Sequence, residues 1–223
     1  MKKVWIVILT GFLVFNMSAM SQKTTNEKVI KFVIHTSYGD MKGSLYNETP
    51  QHRDNFAKLI KEGYFNDLLF HRVISGFMIQ GGDPNSRNAK PGVPLGNGGP
   101  GYTIPAEFNQ NLIHKKGALS AARQGDEVNP KKASSGSQFY IVEGRPLTAA
   151  YLDDASRKNG IQYTPEQKAL YEKTGGYPWL DGGYTVFGEI TEGLDVISKI
   201  ASAQKDGRDR PVQDIKMTIK LVD

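Results

Sequence analysis

A largely apolar run over residues 29–35 and a mixed stretch over 41–46 flank Ser37-Tyr38-Gly39-Asp40. They read as two strands joined by a hairpin turn. At Thr49-Pro50 the pattern changes. Thr suits an N-cap and Pro the first helical position. Phe56, Leu59 and Ile60 form one apolar face, and Gly63 ends the segment, so a helix laid over the end of an apolar barrel is predicted. Further strands are predicted at 115–122, 137–142, 184–190 and 214–222, the last alternating Ile215, Met217, Ile219 and Leu221. Residues 194–201 read as a short amphipathic helix with Leu194, Ile197 and Ala201 inward.

Two stretches differ in texture. Residues 84–101 are rich in Gly, Pro and Asn and read as a long surface loop, a kind that in compact domains is usually functional or mobile. Residues 146–176 carry two helix starts, Thr148 and the capping-box spacing Thr164-Pro165-Glu166-Gln167, and close on Gly175-Gly176. Tyr151 and Leu152 on the first helix and Leu170 and Tyr171 on the second are apolar groups to be packed either together or against the barrel. The segment is too small to bury a core of its own, so it reads as an inserted helical hairpin. Many short strands, two lid helices and abundant Gly indicate a mainly β barrel without internal repeats.

Composition adds a compartment. With 39% hydrophobic and 23% charged residues over 223 positions, the chain is in the globular range. Residues 1–21 stand apart: Lys2-Lys3, an apolar run over 4–15, then Ala19-Met20-Ser21 before Gln22. This is the three-part pattern of a secretory signal peptide, and its apolar run is short against the roughly 20 residues of a membrane span. The expectation is an exported protein, periplasmic or secreted, with no stable membrane span after cleavage; an uncleaved N-terminal anchor is the alternative. Residues 22–28 read as disordered, and 29–223 as one domain. There is no Cys, hence no disulfide and no lipoprotein attachment point. The net charge of +5 falls to +3 when Lys2 and Lys3 leave with the signal segment, which holds no acid. The remaining basic residues are dispersed among acids, without the footprint of a nucleic-acid binder. His35, His52, His71 and His114 have no metal-like spacing, so neither metal nor cofactor is expected.

Candidate chemistry centres on residues 70–83, Phe-His-Arg-Val-Ile-Ser-Gly-Phe-Met-Ile-Gln-Gly-Gly-Asp. Arg72 sits in apolar company, an expensive place for a charge that does not neutralise. It is either half of a core ion pair with a carboxylate such as Asp83, or a functional cation. Strand alternation turns His71 to the opposite face, a structural role. Phe-His-Arg, Gly-Phe-Met and Gln-Gly-Gly-Asp in this order resemble the cyclophilin family of peptidyl-prolyl cis-trans isomerases. Two further blocks extend the resemblance from 29 to 222, apart from the helical hairpin. They are Gly117-Ala118-Leu119-Ser120-Ala121-Ala122 with Ser135-Gly136-Ser137-Gln138-Phe139-Tyr140-Ile141, and Trp179-Leu180-Asp181-Gly182 with Tyr184-Thr185-Val186-Phe187-Gly188.

The resemblance implies a closed eight-stranded antiparallel barrel capped by two helices, with the site on its outer face. It implies an enzyme acting on proline-containing polypeptides. Rotation about an Xaa-Pro bond faces a barrier of roughly 18–20 kcal/mol and needs no nucleophile, metal or base, only stabilisation of the twisted amide. By the resemblance Arg72 donates to the proline nitrogen or carbonyl, and Gln80 orients it. Phe77, Met78, Tyr140 and Leu180 seat the proline ring, while Ala122, Arg123 and Gln138 meet the peptide main chain. Trp179 is the position used for cyclosporin-type cyclic peptides, and Tyr184 is a further pocket wall. Duller roles stand beside these: Phe77 and Met78 as core, Trp179 as a cover for a barrel end, Gln138 as a buried structural amide. The chain departs from the family pattern at Arg123 for Asn, Tyr140 for Phe and Tyr184 for His, and the Tyr140 hydroxyl needs a partner. The expected activity is a monomeric isomerase assisting the folding of exported proteins. Its rivals are a proline-peptide binding module or holdase, and a structural envelope protein.

Overall fold

The computed structural model describes residues 28–222. The expected signal segment, and all but the last residue of the 22–28 stretch, lie outside the described residues. β1 (Lys31–Thr36) and β2 (Gly39–Leu45) form as predicted, paired antiparallel from Lys31↔Ser44 to Thr36↔Gly39. There follow β3 (Leu68–Leu69), β4 (Arg72–Ile74), β5 (Met78–Gly81), β6 (Thr103–Ile104), β7 (Ala118–Ala121), β8 (Ser134–Ser135), β9 (Phe139–Val142), β10 (Val186–Glu192) and β11 (Lys216–Val222). Nine of these form one sheet in the order β3-β11-β1-β2-β10-β7-β9-β5-β4, and β6 pairs with β8 apart from it. The two strands at the ends of that order are separated in the chain only by Phe70 and His71. Phe70 donates its N–H to Ile215 on one side and His71 its N–H to Gln80 on the other. The sheet therefore curls until its edges are neighbours. The sheet has nine strands where a closed eight-stranded barrel was expected, the run 68–74 being interrupted at these two residues.

The curl encloses an aromatic core. Phe56 lies within 5.0–5.8 Å, centroid to centroid, of Phe32, Phe65, Phe139 and Phe187, mostly in the edge-to-face arrangement that ring quadrupoles favour. Phe56 comes from α1 (Pro50–Lys61), which packs on β10 and β11; α4 (Leu194–Ala201) packs on β2, β4 and β5. In α4 the inward set is Val196, Ile197, Ile200 and Ala201, and Leu194 is exposed. As the first helical residue it lies off the buried stripe, which corrects its inward assignment.

The start of α1 also departs from expectation. Thr49 occupies the N-cap, but its side chain makes no capping hydrogen bond. The orphan amides are met from afar: the Glu107 carboxylate accepts the N–H groups of Gln51 and His52 at 3.1 and 3.0 Å. It also takes Nδ1 of the buried His52 at 2.6 Å. A negative group there suits both the free donors and the helix dipole.

The two helices of the 146–176 segment form as predicted. α2 (Ala149–Asn159) is capped by Thr148 and closed by Gly160 at φ +66°, and α3 (Pro165–Thr174) has a complete capping box at Thr164 and Gln167. Leu152, Ile161, Tyr163 and Tyr171 pack with Leu147 and with Ile113 from outside the segment in a small second core, flanked by Tyr151 and Leu170. Among the described residues no helix is long and apolar enough to cross a membrane.

Glu107→Ala should lower unfolding free energy by about 2–3 kcal/mol, the scale of a lost charged hydrogen-bond acceptor. Urea unfolding should show the midpoint falling with the slope unchanged, whereas a wild-type midpoint would mean that α1 is capped some other way.

Candidate active site

Arg72 and Gln80 face each other across the β4–β5 hairpin. Its turn is set by Gly76 at φ +75°, whose N–H donates to the Glu143 carboxylate at 2.6 Å. Three contacts fix the Arg72 guanidinium. Nη1 donates to Gln80 Oε1 at 3.3 Å, Nε lies 4.0 Å from the Asp209 carboxylate, and Cζ stands 5.9 Å from the Phe77 ring centre. The side chain stays 41% exposed. The inward pair with Asp83 does not form. Asp83 is fully buried, and its carboxylate accepts the N–H groups of Asn85 and Gly96 at 2.8 and 2.5 Å. It thus ties down the start of the long 84–101 loop instead.

Behind Arg72 runs a line of amides. Gln80 donates to Gln138 Oε1 at 3.1 Å, and the Gln138 amide donates to the carbonyls of Gly96 and Gly98 at 2.9 and 2.7 Å. The buried Gln138 is therefore engaged on both ends of its side chain, as its duller reading had it, and holds the loop against the groove floor. Gln80, Ala122, Arg123, Gln138 and residues of that loop line a hollow of about 890 Å³.

The predicted apolar seat assembles as one cluster. Met78 and Tyr140 are buried, at 1% and 5% exposure. Half-buried Phe77, Ala122, Leu180 and Tyr184 pack against them. Met78 and Tyr140 thus lie beneath the surface that Phe77, Leu180 and Tyr184 offer. Tyr177, which the motifs did not point to, packs tilted against Phe77 with centroids 4.4 Å apart.

The Tyr140 hydroxyl finds its partner in His114, 2.9 Å away at Nε2. His114 Nδ1 lies 2.6 Å from Asp181, and its backbone N–H donates to the same carboxylate oxygen at 2.8 Å. The other oxygen accepts the hydroxyls of Tyr163 and Tyr171 at 2.7 and 2.6 Å. Because a carboxylate only accepts, the proton shared with His114 sits on Nδ1, leaving Nε2 for the phenol. Burial pushes the Tyr140 phenol up, so it stays a neutral donor. The pocket floor is thereby wired to α3 and to the link that precedes it. Local sequence carried no sign of this: His114 and Asp181 are 67 positions apart.

Two predicted contact residues have their donors already taken. Arg123 lines the hollow, but its guanidinium is engaged: its Nε donates to the Gly183 carbonyl at 2.8 Å, Nη1 pairs with Asp126 at 2.5 Å, and Cζ covers the Tyr184 ring at 4.4 Å. An aromatic face and a nearby acid outcompete solvent for that guanidinium. Trp179 donates its indole N–H to the Tyr151 hydroxyl and meets that ring edge-on at 5.5 Å, so it is bound to α2. His71, assigned to the face opposite Arg72, lines the same hollow as Arg72. Residues 70–71 lie outside β3 and β4, so strand alternation does not govern them.

A family described as cyclophilin type peptidyl-prolyl cis-trans isomerase/CLD matches residues 31–220. The chain belongs to the cyclophilin-type peptidyl-prolyl isomerases. A Staphylococcus saprophyticus protein provisionally named a peptidyl-prolyl cis-trans isomerase is 37% identical over 203 residues, covering 89% of this chain and 94% of the relative. A Staphylococcus aureus (strain USA300) protein with the same provisional name is 37% identical over 197 residues, covering 86% and 91%. Among solved structures, a Cryptosporidium parvum cyclophilin type peptidyl-prolyl cis-trans isomerase superposes with a TM-score of 0.65 at 26% identity, covering 88% of this chain and 99% of the other. The same protein in the presence of the dipeptide Ala-Pro gives a TM-score of 0.63 at 26% identity, covering 86% and 99%. The mainly β cyclophilin fold and the isomerase assignment expected from the sequence motifs therefore hold.

Next to this cyclophilin site, burial pushes the His71 imidazole from 6.5 down to about 4. The unfolded chain then takes up the proton first, so the stability linked to His71 is complete above pH 6.5 and drains away as pH falls to 4. The loss should approach about 3 kcal/mol. Urea unfolding of wild type and His71→Gln across this range should show their stability difference moving against wild type as pH falls. A difference that stays constant with pH would show the ring to be solvated.

Proposed function

We propose that this cyclophilin accelerates cis/trans exchange at Xaa-Pro bonds of exported polypeptides, with Arg72 as the catalytic group. The observation that carries this reading is a guanidinium 41% exposed, held by Gln80 and poised beside Phe77. The proline ring rests on Phe77, Leu180 and Tyr184, above Met78 and Tyr140. The chain on either side crosses Ala122 and the 96–98 loop. A guanidinium N–H directed at the proline nitrogen, or at the proline carbonyl, stabilises the twisted amide more than the planar one. Partial exclusion of water strengthens that hydrogen bond, and Gln80 keeps the fork aimed without consuming its remaining donors.

The rival reading, a proline-peptide binding module or holdase, gains no contact surface from the 146–176 segment. Its large apolar residues and two phenols turn inward toward Asp181, which favours a buttress beneath the pocket. Cyclosporin-type cyclic peptides find less to grip, because the Trp179 N–H is engaged by Tyr151 and the Tyr184 face by Arg123. Export rests on the pattern of residues 1–21 alone. It is tested by N-terminal sequencing of protein recovered outside the cytoplasm, where cleavage before Gln22 is expected and an intact Met1 argues for an anchor or for no export.

Arg72→Ala should keep the fold, read by circular dichroism and urea midpoint, and lose about 10²–10³ in kcat/KM on a proline tetrapeptide. Arg72→Lys should recover little of it, since an ammonium lacks the planar fork. Wild-type exchange rates in the folded Arg72→Ala protein would sink the assignment.

A further inference from the structure

On the side of Arg72 formed by the loops at 92–96 and 206–210 lies a second hollow, of about 310 Å³. It shares Gln80, Gly96 and Arg123 with the larger hollow over Ala122 and Gln138. A peptide crossing Gln80 therefore passes from one to the other.

Four guanidinium groups line the smaller hollow, against a single carboxylate. Two of the four are already neutralised: Arg123 by Asp126, and Arg210 by Asp214 at 2.9 Å with the carbonyls of Ala89 and Lys90 close by. The lone acid, Asp206, is turned to its own loop, where Oδ1 accepts the N–H groups of Arg208 and Arg210 at 2.8 and 3.0 Å. Arg72 has Asp209 only at 4.0 Å, with both side chains a third or more exposed, so little of its charge is cancelled. Arg208 has no carboxylate within 4.0 Å among the described residues. Its Nη1 instead reaches toward the Gly92 carbonyl at 3.4 Å. His71, also lining the hollow, is 4% exposed, and neither ring nitrogen has a hydrogen-bond partner. Held uncharged by burial, it offers a donor without adding to the charge.

Two incompletely neutralised guanidinium groups and an unpartnered buried imidazole on one small hollow form a place for an anion. We propose that it is a carboxylate subsite, receiving an acidic side chain on a substrate residue flanking the isomerised proline, between Arg72 and Arg208. The inference rests on the isomerase reading of Arg72 and adds a substrate class to it. Planar forks bind carboxylates with directional, charge-assisted hydrogen bonds, which a substrate amide of the same shape does not reproduce.

The test uses the full chain and proline tetrapeptides that differ only in the residue before or after proline: Ala, Gln, Glu or Lys. At low ionic strength Glu should exceed its isostere Gln in kcat/KM by about 3–10-fold at one of the two positions, with Lys below both. The ratio should approach one in about 1 M salt, where the screening length falls to about 3 Å. Arg208→Gln should abolish the ratio and Arg208→Lys should retain part of it. A Glu/Gln ratio of one in wild type, or a ratio that survives Arg208→Gln, overturns the subsite while Ala-Pro turnover continues. Absence of turnover on the Ala-Pro peptide overturns the isomerase reading beneath it.

Discussion

The buried carboxylate of Asp181 is the interaction on which the two halves of this molecule meet. A carboxylate with almost no solvent must have its lone pairs filled, and four donors from three parts of the chain converge on it. His114 comes from the approach to β7, Tyr163 from the link between α2 and α3, and Tyr171 from α3 itself. Their geometry is over-determined, so Leu180 and Tyr140, one residue from Asp181 and one hydrogen bond from His114, inherit positions they would not hold alone. Such a network is rigid when complete and costly when one member is missing.

The catalytic side is built on the opposite principle. Arg72 is held lightly, by one long hydrogen bond and one distant carboxylate, and the firm contacts lie a step behind it. Gln80, Gln138 and the carbonyls of Gly96 and Gly98 form a line of amides in which each group fixes the next. Asp83 anchors the same loop from below. Rigidity is placed in the support, and the donor itself keeps part of its hydration and its freedom to adjust to a rotating amide.

Much of this was legible in sequence because it is local. Two runs flanking a turn signal located β1 and β2, alternation located β11, Thr148 and Thr164 located two helix starts, and the motif blocks located the residues around Arg72. What sequence missed is non-local. The cap of α1 comes from Glu107, some fifty positions away, and Thr49 fills the N-cap without capping. Arg123 and Trp179 look available in sequence, yet Gly183, Asp126 and Tyr151 claim their donors. The misplacement of His71 has another cause. A period of two presumes an unbroken strand, and the chain at residues 70–71 passes from one edge of the sheet to the other.

The segment bearing α2 and α3 leaves the barrel at Arg145 and returns at Gly176, where the two backbones form a bridge with N–H···O distances of 3.3 and 3.2 Å. The approach is so close that a Cβ on Gly144 would stand 2.4 Å from the Gly176 Cα. Both helices hang from this one pinch, and no strand register passes through them. They stand outside the sheet, but chemically they are joined to it, because the two phenols that satisfy Asp181 travel with them. A homologous chain without the helices must then meet that carboxylate with ordered water or another side chain, so segment length and the polarity around position 181 are bound to vary together.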